Sequence, residues 1–143
     1  MGKHITVILR NAPGQFAQVA QILTEAQINI LAFHVASAGL SSGYAQLVCD
    51  DPVRAMAKLT PSLRNYVYES DVIAVRTPHA PGALFPILQA LHLAGVNIEN
   101  AYQTLDGKGN AIIIIEPSQS TLAAASTTLR NSYDVISDFR CLS

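Results

Sequence analysis

Two short segments combine small residues, a proline and a glycine just before an apolar run. The first is Asn11-Ala12-Pro13-Gly14-Gln15, and the second is His79-Ala80-Pro81-Gly82-Ala83. Proline fixes φ, and glycine lets the backbone approach a bound molecule closely. A helix that begins here directs N–H groups and a partial positive charge outward, which suits a carboxylate. The alternative is a plain strand-to-helix turn that binds nothing.

An asparagine follows each apolar run at the same spacing. Asn29 lies in Gln27-Ile28-Asn29-Ile30, and Asn97 lies in Gly95-Val96-Asn97-Ile98. The side-chain amide both donates and accepts hydrogen bonds, so it suits the polar groups of a zwitterion. The alternative is an asparagine that satisfies backbone groups at the C-terminal end of a helix.

Residues for catalysis or metal binding do not form a recognisable pattern. The spacing of the four histidines matches neither a catalytic triad nor a metal site: His4, His34, His79 and His92. We therefore predict no enzyme activity, no catalytic residue, no cofactor and no metal, with a metal-binding regulator as a less favoured alternative. His79 lies in the second loop, where it can act as a polar ligand contact.

Two arginines and a glycine-rich turn also have ordinary structural explanations. Arg10 and Arg76 end the first strand of each half of the chain, and we expect each to pair with a surface acid rather than a substrate carboxylate. Asp106-Gly107-Lys108-Gly109 lacks the Lys-Ser/Thr pair of a phosphate-binding loop. It is therefore predicted to be a hairpin turn.

The composition excludes several classes of protein. Half of the residues are hydrophobic and 13% are charged, so the chain can build a core. Nine basic and ten acidic residues occur without a basic run, which argues against nucleic-acid binding. No apolar stretch approaches the roughly 18 residues of a membrane span. We expect a cytoplasmic protein with no membrane partner, in which Cys49 and Cys141 are unpaired thiols.

The chain repeats itself at an offset of 68 residues. Ten of the thirty positions between residues 5 and 34 are identical to their counterparts. The identical pairs are Ile5/Ile73, Val7/Val75, Ala12/Ala80, Pro13/Pro81, Gly14/Gly82, Gln21/Gln89, Leu23/Leu91, Ala26/Ala94, Asn29/Asn97 and Ile30/Ile98. This pattern indicates a duplicated domain, with one unit over residues 1–70 and another over residues 71–143.

The first copy is predicted to contain four strands and two helices. Its strands are expected at residues 5–9, 28–35 and 44–49 and near Val67. Pro13 is placed in the first turn of the first helix, and Asp51 and Pro52 open the second as cap and first-turn proline. The apolar positions predicted to face inward are Phe16, Val19, Ala20, Leu23 and Ala26 on the first helix, and Val53, Met56, Ala57, Leu59 and Leu63 on the second.

The second copy follows the same order. Strands are predicted at residues 72–76, 96–104, 111–115 and 133–136, and the aliphatic run at 111–115 is expected to be central. Helices are predicted at residues 81–94 and 118–130, the latter capped by Ser118 or Ser120. The positions of the first of these helices predicted to face inward are Leu84, Ile87, Leu88 and Leu91.

The order βαββαβ, found twice, predicts an α+β fold made of two tandem ferredoxin-like units. In each unit an antiparallel sheet carries both helices on one face. The other face needs cover, so we expect the two sheets to join edge to edge or pack face to face, and the protein to form a homo-oligomer, most simply a dimer.

These features together resemble the ACT domain family. The resemblance rests on Ala12-Pro13-Gly14 with Asn29-Ile30 and, more fully, on Ala80-Pro81-Gly82 with Gly95-Val96-Asn97-Ile98. It implies a regulatory protein that binds an amino-acid-like effector where two units meet and acts on an enzyme partner in trans. Both loops are then expected to contact ligand, with Asn29 and Asn97 near its polar groups and with Phe16 and Leu84 in the core. The alternative is an interaction module that needs no ligand.

Overall fold

The computed structural model describes residues 2–10, 12–37, 39, 41–63 and 66–142, and this part of the chain contains seven strands and four α-helices. In chain order they are β1 (Gly2–Arg10), α1 (Gln15–Glu25), β2 (Ile30–Ser37), β3 (Ser42–Cys49), α2 (Pro52–Leu63), β4 (Val67–Pro78), α3 (Leu84–Leu93), β5 (Ile98–Leu105), β6 (Asn110–Pro117), α4 (Leu122–Ser132) and β7 (Asp134–Ile136). Within the described residues, 3₁₀ turns also occur at Gln119–Thr121 and Phe139–Leu142. The predicted α+β class and tandem ferredoxin-like arrangement are confirmed.

The chain divides into two compact units. The first contains Lys3–Ser70 together with the C-terminal turn Phe139–Leu142, and the second contains Gly2 and Asp71–Asp138. The C-terminal turn therefore groups with the first unit, although it follows the second in sequence.

In the first unit β3 lies between β1 and β2 and is antiparallel to both. Val7 of β1 and Val35 of β2 both lie opposite Ala45 of β3, so these three side chains lie on the same face of the sheet. Every second residue of each strand points to this face, which carries the helices. Helices α1 and α2 bury Val19 and Leu59 against this face. The fully or nearly buried residues of this core are Ile5, Val7, Leu9, Val19, Leu23, Ile28, Ala45, Leu47, Cys49, Ala55, Leu59 and Val67.

In the second unit β6 lies between β4 and β5, and β7 pairs with the other edge of β4. All five residues 111–115 are at most 4% exposed, which confirms the prediction that this run forms a central strand. Such a strand has both faces and both edges covered, so it tolerates an uninterrupted aliphatic sequence. Helices α3 and α4 cover one face with Ile87, Leu91, Ala125 and Leu129.

Strand β4 corrects the prediction of two separate strands near Val67 and at residues 72–76. It is one strand of twelve residues that crosses from the first unit into the second. The polar segment Glu69-Ser70-Asp71 suggested a break, but it contains neither glycine nor proline. Backbone pairing is indifferent to side-chain polarity, so the strand continues.

Several predicted inward-facing helical positions are wrong. Leu84 and Leu88 of α3 are 44% and 36% exposed, and Val53 of α2 is 77% exposed. The reason is that each helix packs along a narrow line, which buries Ile87 and Leu91 on α3 and leaves the other apolar positions at the surface. Periodicity alone places the apolar stripe but not its width.

The start of α4 also differs from the prediction. Neither Ser118 nor Ser120 forms a side-chain cap on the described helix. The Ser118 hydroxyl is paired instead with the Thr121 hydroxyl at 2.7 Å, and the segment begins as a 3₁₀ turn. By contrast, Asp51 caps α2 as predicted, since its Oδ1 accepts a hydrogen bond from the Arg54 N–H at 3.1 Å.

Candidate functional site

The first Pro-Gly loop is a tight turn that ends before helix α1 begins. Pro13 and Gly14 occupy its two central positions, and the Gln15 N–H donates to the Ala12 carbonyl at 3.4 Å. Gly14 has a φ of 84°, which is the conformation that a type II turn requires after proline. Pro13 therefore does not lie in the first turn of the helix, contrary to the prediction. Asn11 lies outside the described residues.

The second loop repeats this geometry. The Ala83 N–H donates to the Ala80 carbonyl at 3.2 Å, and Gly82 has a φ of 82°. Pro81 therefore lies in the turn, and helix α3 begins at Leu84 rather than at Pro81. The two loops have the same backbone because their Ala-Pro-Gly sequences impose the same turn.

Helix α3 begins one residue later than its counterpart for a specific reason. In α1 the Gln18 N–H donates to the Gly14 carbonyl at 3.1 Å. The position matching Gln18 at the repeat offset is Pro86, which has no N–H to donate. The first helical hydrogen bond of α3 must therefore form further along the chain.

Both helix starts lack compensation from the protein. In the described chain neither α1 nor α3 has a side-chain cap, and neither first turn contains an acidic residue. The N-terminal N–H groups and the positive end of each helix dipole are therefore available to an anion.

A pocket of about 240 Å³ opens beside the first loop. It is lined by Leu9, Arg10, Ala12, Gln15, Phe16, Val35, Ala36, Ser37, Gly43 and Tyr44. Phe16 contacts the core and stacks against Phe33 with ring centroids 5.5 Å apart. It therefore has both roles, because its ring also forms a wall of the pocket.

Arg10, Ser37 and Tyr44 are pocket residues that sequence reasoning did not assign to a site. They come from three different strands and meet only because β3 pairs with both β1 and β2. The Arg10 guanidinium makes no hydrogen bond or ion pair with the rest of the described chain. It is therefore available to a ligand.

Arg76 behaves differently from Arg10. Its Nη1 donates to Asp134 Oδ2 at 2.9 Å, and its Nε lies 3.7 Å from Asp106 Oδ2. The prediction that Arg76 pairs with an acid is confirmed. This arginine stabilises the second unit and is already neutralised by two carboxylates.

The glycine-rich segment after β5 is a hairpin turn, as predicted. The Asp106 carboxylate accepts hydrogen bonds from the Asn110 side chain at 2.7 Å and from the Lys108 N–H at 2.7 Å. The Asn110 side chain, the backbone N–H groups of Lys108 and Asn110, and the charge of Arg76 lower the pKa of Asp106, and burial does not outweigh them. The carboxylate form therefore organises this turn.

This hairpin also holds the second Pro-Gly loop. The His79 N–H donates to the Gly109 carbonyl at 3.0 Å. The His79 side chain is exposed. The loop is thus anchored on one side by the turn that Asp106 organises.

Asn29 and Asn97 do not lie beside the loop of their own unit. Helix α1 separates Asn29 from the first loop, and α3 separates Asn97 from the second. Helices of 11 and 10 residues are about 16 and 15 Å long. A single unit therefore cannot place the asparagine and the loop around one small molecule.

The backbone of each asparagine joins two elements of its unit. The Asn29 carbonyl accepts from the Asp50 N–H at 3.1 Å, and its N–H donates to Asp50 Oδ1 at 3.1 Å. The Asn97 carbonyl accepts from the Ser118 N–H at 2.9 Å, and its side chain donates to Glu99 at 3.2 Å. The bonds to Asp50 and Ser118 show that the repeat offset of 68 holds at this junction.

The turn before each asparagine is the same in both units. Gln27 has a φ of 57°, and the Ile28 N–H donates back to the Leu23 carbonyl at 2.9 Å. In the second unit Gly95 has a φ of 71°, and the following N–H makes the matching bond at 3.0 Å. Both helices therefore end in a left-handed cap, although the first uses a glutamine where glycine is favoured.

Sites for metals or a membrane are not evident in the described chain. Within residues 2–10, 12–37, 39, 41–63 and 66–142, no three His, Cys, Asp or Glu side chains converge as metal ligands would. No helix of this part combines the length and apolar character needed to span a bilayer. Cys49 is buried and Cys141 is exposed, and neither forms a disulfide.

The fold and the loops define the class of protein, namely a pair of ferredoxin-like units that each carry a Pro-Gly turn before the first helix. The sequence pattern of the family described as "ACT domain pair" matches residues 2–140, so the chain belongs to this family. A comparison with curated proteins finds no match. The family predicted from the Ala-Pro-Gly and Asn-Ile segments is thereby confirmed.

Solved structures show the same fold. Protein BT0572 from Bacteroides thetaiotaomicron is similar with 26% identity and a TM-score of 0.85, over 99% of this chain and 96% of that one. The regulatory subunit of aspartate kinase from Thermus thermophilus, in a ligand free form, has 19% identity and a TM-score of 0.68 over 93% of each chain. The corresponding subunit from Thermus flavus has 19% identity and a TM-score of 0.56, over 92% of this chain and 96% of that one.

Proposed function

We propose that this protein is a regulatory sensor that binds a small amino-acid effector at its Pro-Gly loops and acts on an enzyme partner in trans. Membership of the ACT domain pair family supports a regulatory role. A chain of the same fold and length is described as the regulatory subunit of aspartate kinase, which is consistent with action on a separate catalytic chain.

The pocket at the first loop is the observation that carries this proposal. Its Arg10 guanidinium and the uncapped start of α1 are two positive groups that suit one carboxylate. The Ser37 hydroxyl donates to the Gly39 carbonyl at 2.9 Å, so its lone pairs remain available to accept from an ammonium group. Gln15 and Tyr44 add further polar atoms, and a volume of about 240 Å³ accommodates a single amino acid.

The proposed ligand contacts in both units follow from the shared turn geometry. In the first unit they are Asn11, Ala12, Pro13, Gly14 and Gln15, and in the second they are His79, Ala80, Pro81, Gly82 and Ala83. Asn29 and Asn97 are proposed to reach a ligand held by the loop of a second copy, because they lie a helix length from the loop of their own unit. A homodimer is part of this proposal.

Isothermal titration with each of the twenty L-amino acids tests the proposal. At least one should bind, and Arg10→Gln should weaken that binding at least about tenfold, because a hydrogen bond to a charged group is lost. Arg130→Gln is the matched control, since Arg130 is an exposed arginine of α4 whose Nε donates to the Ser126 hydroxyl of the same helix. Absence of heat and of thermal stabilisation with all twenty amino acids would refute effector binding.

A ligand-independent interaction module is the second candidate, and one observation favours it. Helix α3 exposes Leu84, Phe85 and Leu88, and Phe85 is 68% exposed. Adjacent exposed apolar side chains of this size are typical of protein interfaces. Sedimentation of the parent protein and of the Phe85→Glu variant measures their oligomeric states. An assembly that dissociates in the variant, together with a failure of amino acids to bind the parent, would favour the interaction module.

A further inference from the structure

A second cavity, of about 510 Å³, lies in the first unit at the opposite end of α1 from the Pro-Gly loop. It is lined by Gln27, Asp50, Asp51, Pro52, Arg54 and Arg140. All of these residues belong to the first unit, because the C-terminal turn that carries Arg140 groups with it. Two acidic and two basic side chains therefore face one cavity.

The charged groups of this cavity are held in place by the backbone. Asp50 Oδ1 accepts from the Asn29 N–H at 3.1 Å. Arg54 Nη2 donates to the Ala26 carbonyl at 2.9 Å, and its Nη1 lies 4.0 Å from Asp51 Oδ2. These contacts use part of the bonding capacity of Asp50 and Arg54 and leave another carboxylate oxygen and other guanidinium N–H groups in the cavity. The carboxylate and the guanidinium are thus positioned before a ligand arrives.

The second unit provides an internal comparison, because it builds the same junction without these charges. The Ser118 N–H bond to the Asn97 carbonyl reproduces the Asp50 N–H bond to the Asn29 carbonyl. At the repeat offset the five lining residues other than Arg140 have uncharged counterparts: Gln27/Gly95, Asp50/Ser118, Asp51/Gln119, Pro52/Ser120 and Arg54/Leu122. Charge at these positions is therefore not required to form the fold.

Gln27 gives an independent indication that the cavity has a function. Its φ of 57° is unfavourable for a residue with a side chain, and its counterpart is glycine. Strain of this kind is concentrated at functional sites. A glutamine here places an amide that donates and accepts hydrogen bonds at the cavity wall.

We propose that this cavity is a second binding site, specific for a free zwitterionic amino acid. The ligand carboxylate would pair with the Arg54 guanidinium, and its ammonium group would pair with the Asp50 carboxylate. A cavity wall that presents both the Asp50 carboxylate and the Arg54 guanidinium favours a zwitterion over a simple anion or cation, because a singly charged ligand makes a charge-assisted hydrogen bond to only one of them. This site is separate from the Pro-Gly loop and would give the chain a second effector input.

Two-dimensional ¹H–¹⁵N NMR of the full chain, titrated with each of the twenty L-amino acids, tests the proposal. We expect shifts at the amides of Gln27, Asp50 and Arg54 for at least one amino acid. The N-acetylated and the carboxamide forms of that amino acid, which each lack one charge, should bind at least about tenfold more weakly. Absence of shifts at these three amides with all twenty amino acids, or equal binding of both derivatives, would overturn the proposal.

Variants that copy the second unit provide the second measurement. Asp50→Ser and Arg54→Leu should each weaken binding at least about tenfold, whereas Lys58→Leu should not. Lys58 is an exposed cation one turn further along α2 and does not line the cavity, so it is a matched control. If either variant loses its dispersed spectrum, the two ligand derivatives still decide the question in the unaltered protein.

The outcome is distinguishable from that for the Pro-Gly loop. Shifts at Gln15 and Phe16 that vanish in Arg10→Gln report the loop site, and shifts at Gln27 and Asp50 that vanish in Arg54→Leu report the cavity. Either site can fail while the other binds.

Discussion

Replacing Gln27 by glycine should stabilise the protein, although it removes a side chain. Holding a residue with a Cβ in the left-handed region costs about 1–2 kcal/mol. Glycine relieves that strain, but the greater freedom of the unfolded chain offsets about 0.5–1 kcal/mol of the gain. The net stabilisation expected for Gln27→Gly is about 0.5–1 kcal/mol.

Urea unfolding followed by circular dichroism measures this difference, and thermal unfolding should show a rise in Tm of about 1–4 °C. Gln27→Ala is the control, because it removes the side chain but keeps the strained backbone, so its stability should stay close to that of the parent. Gly95→Ala is the converse change. A Cβ at Gly95 meets nothing within 4 Å, so its φ of 71° alone should lower stability by about 0.5–1 kcal/mol.

A Gln27→Gly variant that is no more stable than Gln27→Ala would show that the left-handed turn carries little strain at this position. If Gln27→Gly is more stable and also binds amino acids less tightly at the cavity, the glutamine has been retained at the expense of stability.

Three further predictions concern other parts of the chain. Burial, reinforced by the charge of Asp50, raises the pKa of the Cys49 thiol to about 12. The native protein should therefore show one thiol, Cys141, that reacts rapidly with a disulfide reagent, and the denatured protein should show two. Rapid reaction of both thiols in the native protein would contradict the burial of Cys49. Because the folded-state pKa of Asp106 is lowered, its carboxylate stabilises the fold at pH values above the unfolded-state pKa, and this stabilisation is lost as the pH falls through the folded-state pKa. The difference in Tm between the parent and Asp106→Asn should therefore be largest near neutral pH and vanish in acid. A difference in Tm that does not depend on pH would refute this role. Asp51→Ala should lower the free energy of unfolding by about 1 kcal/mol, because the cap on α2 is lost, and an unchanged urea midpoint would show that the cap contributes nothing.

The sequence alone was sufficient for features that depend on neighbouring residues. The repeat, the order of the elements, the Asp51 cap, the hairpin turn at Asp106 and the central position of residues 111–115 were all predicted. Each depends on hydrogen bonds or apolar periodicity within a few residues, and this information is present in a short segment.

The exact start of each helix and the length of β4 required the folded structure. The Pro-Gly sequences forced a complete turn before α1 and α3, and Pro86 displaced the first hydrogen bond of α3. Strand β4 ran through polar residues because its backbone was paired. In each case the hydrogen bonds that the surrounding chain made available decided where the helix or strand begins or ends.

The composition of both candidate sites was decided by tertiary structure. Arg10, Ser37 and Tyr44 meet through strand pairing, and Arg54 and Arg140 line one cavity because the C-terminal turn groups with the first unit. Asn29 and the first loop were both predicted to contact ligand, but the length of α1 separates them within one unit. Sequence spacing reports what a helix or strand does locally, whereas the grouping of distant side chains depends on how those elements pack.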